Sequence, residues 1–413
     1  MVSSMAAPVK ICVCGSGADA HCLAGLAASR EGFQVSVLLL DEDDAQKWKK
    51  SLRSNDIVIV TTDKAGNEKE TASRPETVTS NAGEVVKDSD FIIFTGPTYE
   101  HENYFKAIAP HLHKKAVIVG LPGKPGFEFQ FWDCAGELAT QCTVVSFEST
   151  PWECRLLQFG KRVELFETKN FLDGSMVRGK AIPRKPALMT LQMIHGVEPM
   201  LKIAVHYLEI TLKSYPFVGP AILYGRWKDW DGQPLKERPL FYENVDRDTV
   251  EIINSCSNEC HEIAVAIMAK FPGIVDLSDV SDIYKYYLQY YRDFIENTTD
   301  LYNVIRTNKK FKGIKHPMTE EDSGDLIPDF DSQLLREDIP NGLVVIRGLA
   351  DTIGSKVPTI DMLLLWCQEK MKKEYIVDGQ LKGKDISETR CPQRYGLNTI
   401  DDILNGNKKR TQY

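Results

Sequence analysis

Val9-Lys10-Ile11-Cys12-Val13-Cys14-Gly15-Ser16-Gly17-Ala18-Asp19-Ala20 is the stretch that decides the fold. The first six residues read as a short apolar strand. The turn that ends it fits G-x-G-x-x-A and opens a helix expected to run to about Arg30. Gly15 permits the tight turn, and Gly17 lets the backbone approach a pyrophosphate. Ala20 allows close helix-to-strand packing, with the phosphates on the helix N-terminus. Asp19 is the odd member, because a carboxylate inside this turn opposes the pyrophosphate charge unless it points to solvent.

Working outward, the next strand, Gln34 to Leu40, ends in Asp41-Glu42-Asp43-Asp44. Acidic residues there, Asp41 and Asp43 first among them, would accept from the adenosine ribose hydroxyls and repel a 2′-phosphate, which predicts NAD over NADP. Further short apolar runs, Phe91 to Thr95, Ala116 to Gly120 and Thr143 to Ser146, alternate with amphipathic stretches up to about Thr150. That alternation predicts an α/β domain with a parallel sheet. Ile57 to Thr61, the polar loop Asp63 to Asn67 and a return along Glu70 to Val78 predict an antiparallel insertion. The turns Thr95-Gly96-Pro97, Gly120-Leu121-Pro122-Gly123 and Ser146-Phe147-Glu148-Ser149 fall at the carboxyl edge, where ligands of open α/β sheets bind.

Beyond about Pro199 the pattern becomes helical. Glu251 to Phe271, Ser281 to Asn297 and Val357 to Lys373 are the longest expected helices. The second carries Ile283, Tyr287, Tyr290 and Phe294 on one stripe, and the third has Pro358 in its first turn. Asn407 to Tyr413 reads as a loose charged tail. The division is thus two domains, 1–205 and 206–413.

The 413 residues exceed one ordinary domain and, at 43% hydrophobic and 26% charged, match neither disordered nor fibrous chains. No run of about 18 apolar residues suggests a membrane span. A net charge of -8 argues against nucleic acid as partner and leaves a small polar ligand. Ten cysteines scattered from Cys12 to Cys391, with no signal-type leader, predict a reducing cytoplasm and free thiols. Their spacing offers no zinc site: Cys12 and Cys14 share a strand, and Cys256 and Cys260 have no second pair.

The chain also resembles a known family in register from about Val9 to Asn405. The residues that carry this are Val119-Gly120-Leu121-Pro122, Gly126-Phe127-Glu128-Phe129, Ser146-Phe147-Glu148 with Pro151-Trp152, Gly225-Arg226-Trp227, Ser257-Asn258-Glu259-Cys260, Glu337-Asp338-Ile339-Pro340 and Arg390-Cys391-Pro392-Gln393-Arg394-Tyr395-Gly396. They are similar to those of the opine dehydrogenases of marine invertebrates. The resemblance implies a Rossmann-type N-terminal domain, a mainly α-helical opine dehydrogenase C-terminal domain, a substrate site in the cleft between them, and a cytoplasmic monomer. It also implies the activity. An amino acid and pyruvate form an imine that NADH reduces to an opine, regenerating NAD in anaerobic glycolysis.

The resemblance further assigns residues, and several depart from its pattern. Of the catalytic His and Asp pair, Asp338 is present, but the His position before Pro220-Ala221-Ile222-Leu223 is Gly219. The arginine that clamps pyruvate is Gln333, a glutamine of the pyruvate pocket is Lys124, and a tryptophan of the amino acid pocket is Tyr286. Glu148 and Ser149 match the family's Glu and Thr as partners of the amino substrate. Loss of the proton carrier implies reduced or retargeted activity, or a nucleotide-binding protein without turnover. His195, His206 and His261 in expected helices, His101 after the third strand and His316 before Pro317 carry no spacing that marks them as substitutes.

Overall fold

The structure, a computed structural model, describes residues 7–62 and 67–406. Asp63 to Gly66 of the expected loop and the tail from Asn407 lie outside the described residues. Two compact units divide the chain, one running to Ile210 and the other Thr211–Leu404.

The first unit holds twelve strands among its described residues: β1 (Val9–Cys14), β2 (Phe33–Leu38), β3 (Ile57–Thr62), β4 (Glu68–Ser73), β5 (Thr77–Thr79), β6 (Phe91–Phe94), β7 (Val117–Gly120), β8 (Thr143–Phe147), β9 (Trp152–Gln158), β10 (Arg162–Thr168), β11 (Phe171–Val177) and β12 (Met200–Ile203). The main sheet runs β12-β11-β8-β7-β6-β1-β2-β5. Its β5-β2-β1-β6-β7-β8 core is parallel throughout, with β11 antiparallel to β8. Counted along the core, the order is 3-2-1-4-5-6, that of dinucleotide-binding sheets. The strand order, not the strand direction, reverses between β1 and β6, and there the crevice for a ligand opens.

The expected return strand, Glu70 to Val78, is two strands in two sheets. β4 pairs with β3 antiparallel, but after Pro75, which has no N–H to continue a ladder, β5 joins the main sheet beside β2. The insertion is likewise no appendage of the parallel sheet. It forms a second sheet, β4-β3-β10-β9, whose last two strands gave no clear signal in the sequence. Between the sheets lies α1 (Ala18–Ala28), which explains its composition. A Cβ on Gly25 would stand 2.9 Å from Ile59 Cδ1, so only glycine lets the helix approach β3. A helix covered on two sides shows no amphipathic pattern, and Ala20, Cys22, Leu23, Ala24 and Ala27 are all buried.

In the second unit the expected helices form with shifted ends. Arg247–Lys270 starts where Asp246 accepts the Thr249 N–H at 2.8 Å, and Pro358–Lys370 has its proline at the first position. The expected Ser281–Asn297 helix is shorter: Ile283–Tyr291 capped by Asp282, then the single turn Arg292–Phe294. Ile283 and Tyr287 of its stripe are buried, Tyr290 and Phe294 half-buried. Helix Val218–Trp227 crosses Arg247–Lys270 so closely that a Cβ on Gly225 would lie 1.8 Å from Thr249 Oγ1. All ten cysteines are free, eight of them buried. Among the described residues no helix is long and apolar enough to cross a membrane, and no cluster of three or more His, Cys, Asp or Glu could hold a metal ion.

Candidate functional site

At the end of β1, Gly15 has φ +140°, a conformation open to glycine, and its N–H donates to the Leu38 carbonyl at 3.1 Å. A Cβ there would sit 2.7 Å from Thr95 Oγ1, so the ends of β1 and β6 meet at the crevice. Gly17 is exposed, and nothing lies within 4 Å of the place its side chain would take. It precedes α1 without a side-chain cap, which leaves the first backbone N–H groups of the helix to a ligand. Ala20 is fully buried under the turn. Pro97 opens the turn Thr98–Glu100, and His101 Nε2 donates to the Gly96 carbonyl at 3.0 Å, holding that loop. These residues fit a pyrophosphate held by backbone.

Asp19 does not meet that charge. It turns toward the interior, where Cys154 Sγ donates to its Oδ1 at 3.3 Å, and burial raises its carboxyl pKa despite Cys154 and Lys169. β2 ends at Leu38, two residues early, so Asp41 falls outside the strand and heads α2 (Glu42–Leu52), its Oδ1 accepting the Asp44 N–H at 2.8 Å. Asp41 and Asp43 are both exposed at this edge.

Sequence reasoning missed His21. It is fully buried, stacked on Trp48 at 3.6 Å, donates from Nδ1 to the Gly17 carbonyl at 2.8 Å and accepts the Gly160 N–H on Nε2 at 2.8 Å. Both ring nitrogens are committed to a neutral imidazole, and burial pushes its pKa down to about 4. It pins the glycine turn to the β9–β10 turn of the second sheet. A histidine one position past the motif was the available signal.

The turns after β7 and β8 gather charge. Gly120 and Gly123 let the β7 turn lie flat on β8: a Cβ on Gly123 would be 2.0 Å from Ser146 Oγ. Lys124 follows at φ +62°, a left-handed conformation that costs a residue with a Cβ about 1–2 kcal/mol. Glu148 is buried, and Ser149 Oγ accepts from Lys169 Nζ at 2.6 Å. Lys169, between β10 and β11, was also missed, since nothing nearby marks it. Burial lowers its ammonium pKa, Lys124 adds to this, and Glu148, Glu153 and Asp19 oppose it.

In the second unit Gly219 and the segment of Asp338 pack together. A Cβ on Gly219 would meet Leu334 Cδ2 at 2.8 Å, so Leu334 fills the space in which a side chain at 219 would begin. Gln333, exposed on the same helix (Gln333–Asp338), donates to Glu337 Oε1 at 2.8 Å. Asp338 ends that helix, just before the widened π-type turn Ile339–Leu343. Burial first, then the Asp338 charge, raises the phenol pKa of Tyr242. Tyr286 packs against Tyr215 and Tyr290, with ring centroids 4.8 and 4.7 Å apart.

The histidines have structural roles. His316 is buried and accepts from Trp227 Nε1, His261 donates to the Val280 carbonyl, and His195 lies buried beside Trp152. His206 is not helical as expected. It precedes Tyr207–Leu212 and accepts the Leu208 N–H on Nδ1.

Residues 203–371 match the family described as NAD/NADP octopine/nopaline dehydrogenase, alpha-helical domain. Over 400 residues the chain is 48% identical to octopine dehydrogenase of Pecten maximus, covering 97% of this chain and 100% of the relative. The chain belongs to the octopine and opine dehydrogenase family. Tauropine dehydrogenase of Arabella iricolor is 40% identical over 397 residues, 96% of this chain and 100% of the relative. Octopine dehydrogenase solved with NADH and L-arginine matches with a TM-score of 0.93, and solved with NADH and pyruvate with 0.90. Each is 48% identical, covering 96% of this chain and 98% of that one. Some stretches shared with this family are structural in this chain. Glu259 accepts the N–H groups of Thr359 and Ile360, capping Pro358–Lys370, and Gln393 donates to the Gly348 carbonyl.

Proposed function

We propose that this protein is an NADH-dependent opine dehydrogenase, joining the amino group of an α-amino acid to pyruvate reductively and running the reverse oxidation. What carries the reading is a glycine turn at the β1/β6 crevice in a chain 48% identical, over nearly its whole length, to an enzyme solved with NADH and L-arginine or pyruvate. In this reading residues 1–205 are the NAD-binding domain, which also supplies substrate-binding residues, and 206–413 the helical substrate and catalytic domain, in a cytoplasmic protein acting as a monomer.

When bound, the dinucleotide supplies hydride to the imine carbon. Gly15, Gly17, Ala20 and Pro97 shape its seat, and Asp41 and Asp43 select against a 2′-phosphate. Lys124 attracts the keto acid carboxylate as a point charge, and Gln333, at the position of the family's arginine, offers only a neutral donor. The buried Glu148 and Ser149 orient the amino substrate, and Tyr286 supplies an aromatic wall. Asp338 remains of the proton-handling pair, and Gly219 carries no group to complete it.

The test is NADH oxidation with pyruvate and a panel of amino acids, L-arginine and taurine among them, beside NADH and NADPH titrations. We expect turnover with at least one pair, and NADH bound at least tenfold more tightly than NADPH. NADH binding without oxidation under any pair would replace this reading with a nucleotide-binding protein.

A further inference from the structure

We propose that Lys169 carries the proton at the substrate edge of the first unit, taking it from the incoming amino group and returning it, by way of the Ser149 hydroxyl, to the departing oxygen of the keto acid. The proposal rests on the opine dehydrogenase reading and answers what that reading leaves open. Condensation needs a group that both accepts and donates a proton, position 219 has no side chain, and Leu334 closes the space around it. Gln333 cannot exchange a proton, and Tyr242 beside Asp338 holds its own more tightly than an ordinary phenol.

Lys169 has the required surroundings. Its Nζ donates to Ser149 Oγ at 2.6 Å, one residue beyond the buried Glu148. The charged groups that act on it come from each neighbouring element: Asp19 from α1, Lys124 from the β7 turn, Glu148 from the β8 turn and Glu153 from β9. Its backbone N–H donates to the Pro151 carbonyl at 3.0 Å, which anchors it beside that edge. Burial first, then the Lys124 ammonium, lowers its pKa against the opposing charges of Glu148, Glu153 and Asp19, which brings the neutral amine nearer.

The amine of Lys169 takes a proton from the substrate ammonium, freeing its nitrogen lone pair to attack the pyruvate carbonyl carbon. The new C–N bond forms as the carbonyl π pair moves to oxygen, and one N–H proton shifts to that oxygen. The Lys169 ammonium then protonates the hydroxyl, the C–O bond breaks and water leaves. The iminium carbon accepts hydride, and the secondary amine takes its last proton from solvent.

Arginine separates proton transfer from charge, because it keeps the positive charge and does not give it up. Lys169→Arg and Lys169→Ala should each lower kcat by about 10²–10⁴ while NADH titration is unchanged. Added methylamine should restore part of the activity to the alanine variant. Amine-selective labelling of the unmodified protein, read by mass spectrometry across pH, should show Lys169 reacting from a lower pH than ordinary lysines. An arginine variant with kcat near the unmodified value and a raised KM for pyruvate makes Lys169 a charge alone and overturns the relay. So does labelling with the pH dependence of an ordinary lysine. No turnover by the unmodified protein removes the functional reading, and the relay with it.

Discussion

The carboxyl edge of the first unit and the Gly219 region of the second are built on opposite principles. The first gathers Asp19, Lys124, Glu148 and Glu153 around Lys169, so four charges act on one partly buried amine. In the second, an aliphatic side chain packs against a glycine where the family pattern has a proton carrier, and a glutamine faces outward where it has a charged clamp. The proposed relay puts its proton carrier, Lys169, in the first unit.

The largest effect that sharpens the contrast is on stability in acid. His21, His195 and His206 of the first unit are held neutral by burial, with pKa values of about 4, about 3 and about 4, and His316 of the second at about 4. The unfolded chain binds protons at these sites from near pH 6.5 downward while the native state does not. Stability is therefore retained above pH 6.5 and falls as pH drops toward 4, by on the order of 3 kcal/mol for each group. With three such groups against one, hydrogen exchange should show the first unit opening before the second as pH falls. His21→Gln, which can still donate and accept, should flatten the acid limb. An unchanged limb would mean that His21 titrates normally.

A smaller effect tests the second region directly. Gly219→His should destabilise by about 1–3 kcal/mol, because its Cβ enters the space of Leu334. Adding Leu334→Ala should recover most of that loss, and the double variant should gain turnover that the single variant lacks. A Gly219→His variant as stable as the unmodified protein would show that Leu334 moves aside at no cost.

The two regions also differ in how much of them was legible in the sequence. The β1–α1 turn, the parallel strands and the helices of the second unit could be read because each depends on local periodicity and on residues that set backbone angles. β5 and the β9–β10 pair could not, since their partners lie far away in sequence and only a proline at 75 marked where one sheet gives way to another. At the site, the glycine at 219 was legible as an absence. The leucine that fills it was not, because packing between residues more than a hundred positions apart leaves no local mark. Lys169 and His21 escaped for the same reason: each becomes noteworthy through Ser149 or Gly160, not through its own neighbours.

Lys124 makes the finest test, because its backbone and its charge pull in opposite directions. The left-handed φ of +62° favours glycine, so Lys124→Gly relieves about 1 kcal/mol of strain, while the freer unfolded chain of glycine takes back roughly 0.5–1 kcal/mol. The midpoint of denaturation should therefore hold or rise slightly. The KM for pyruvate should rise about tenfold, the equivalent of ~1.4 kcal/mol, with kcat left to Lys169. A lysine kept where glycine would fit as well is explained if the ammonium is used. Were Lys124→Gly to leave the KM unchanged, the charge at the first unit's edge would belong to Lys169 alone, and the contrast between the regions would rest on one residue.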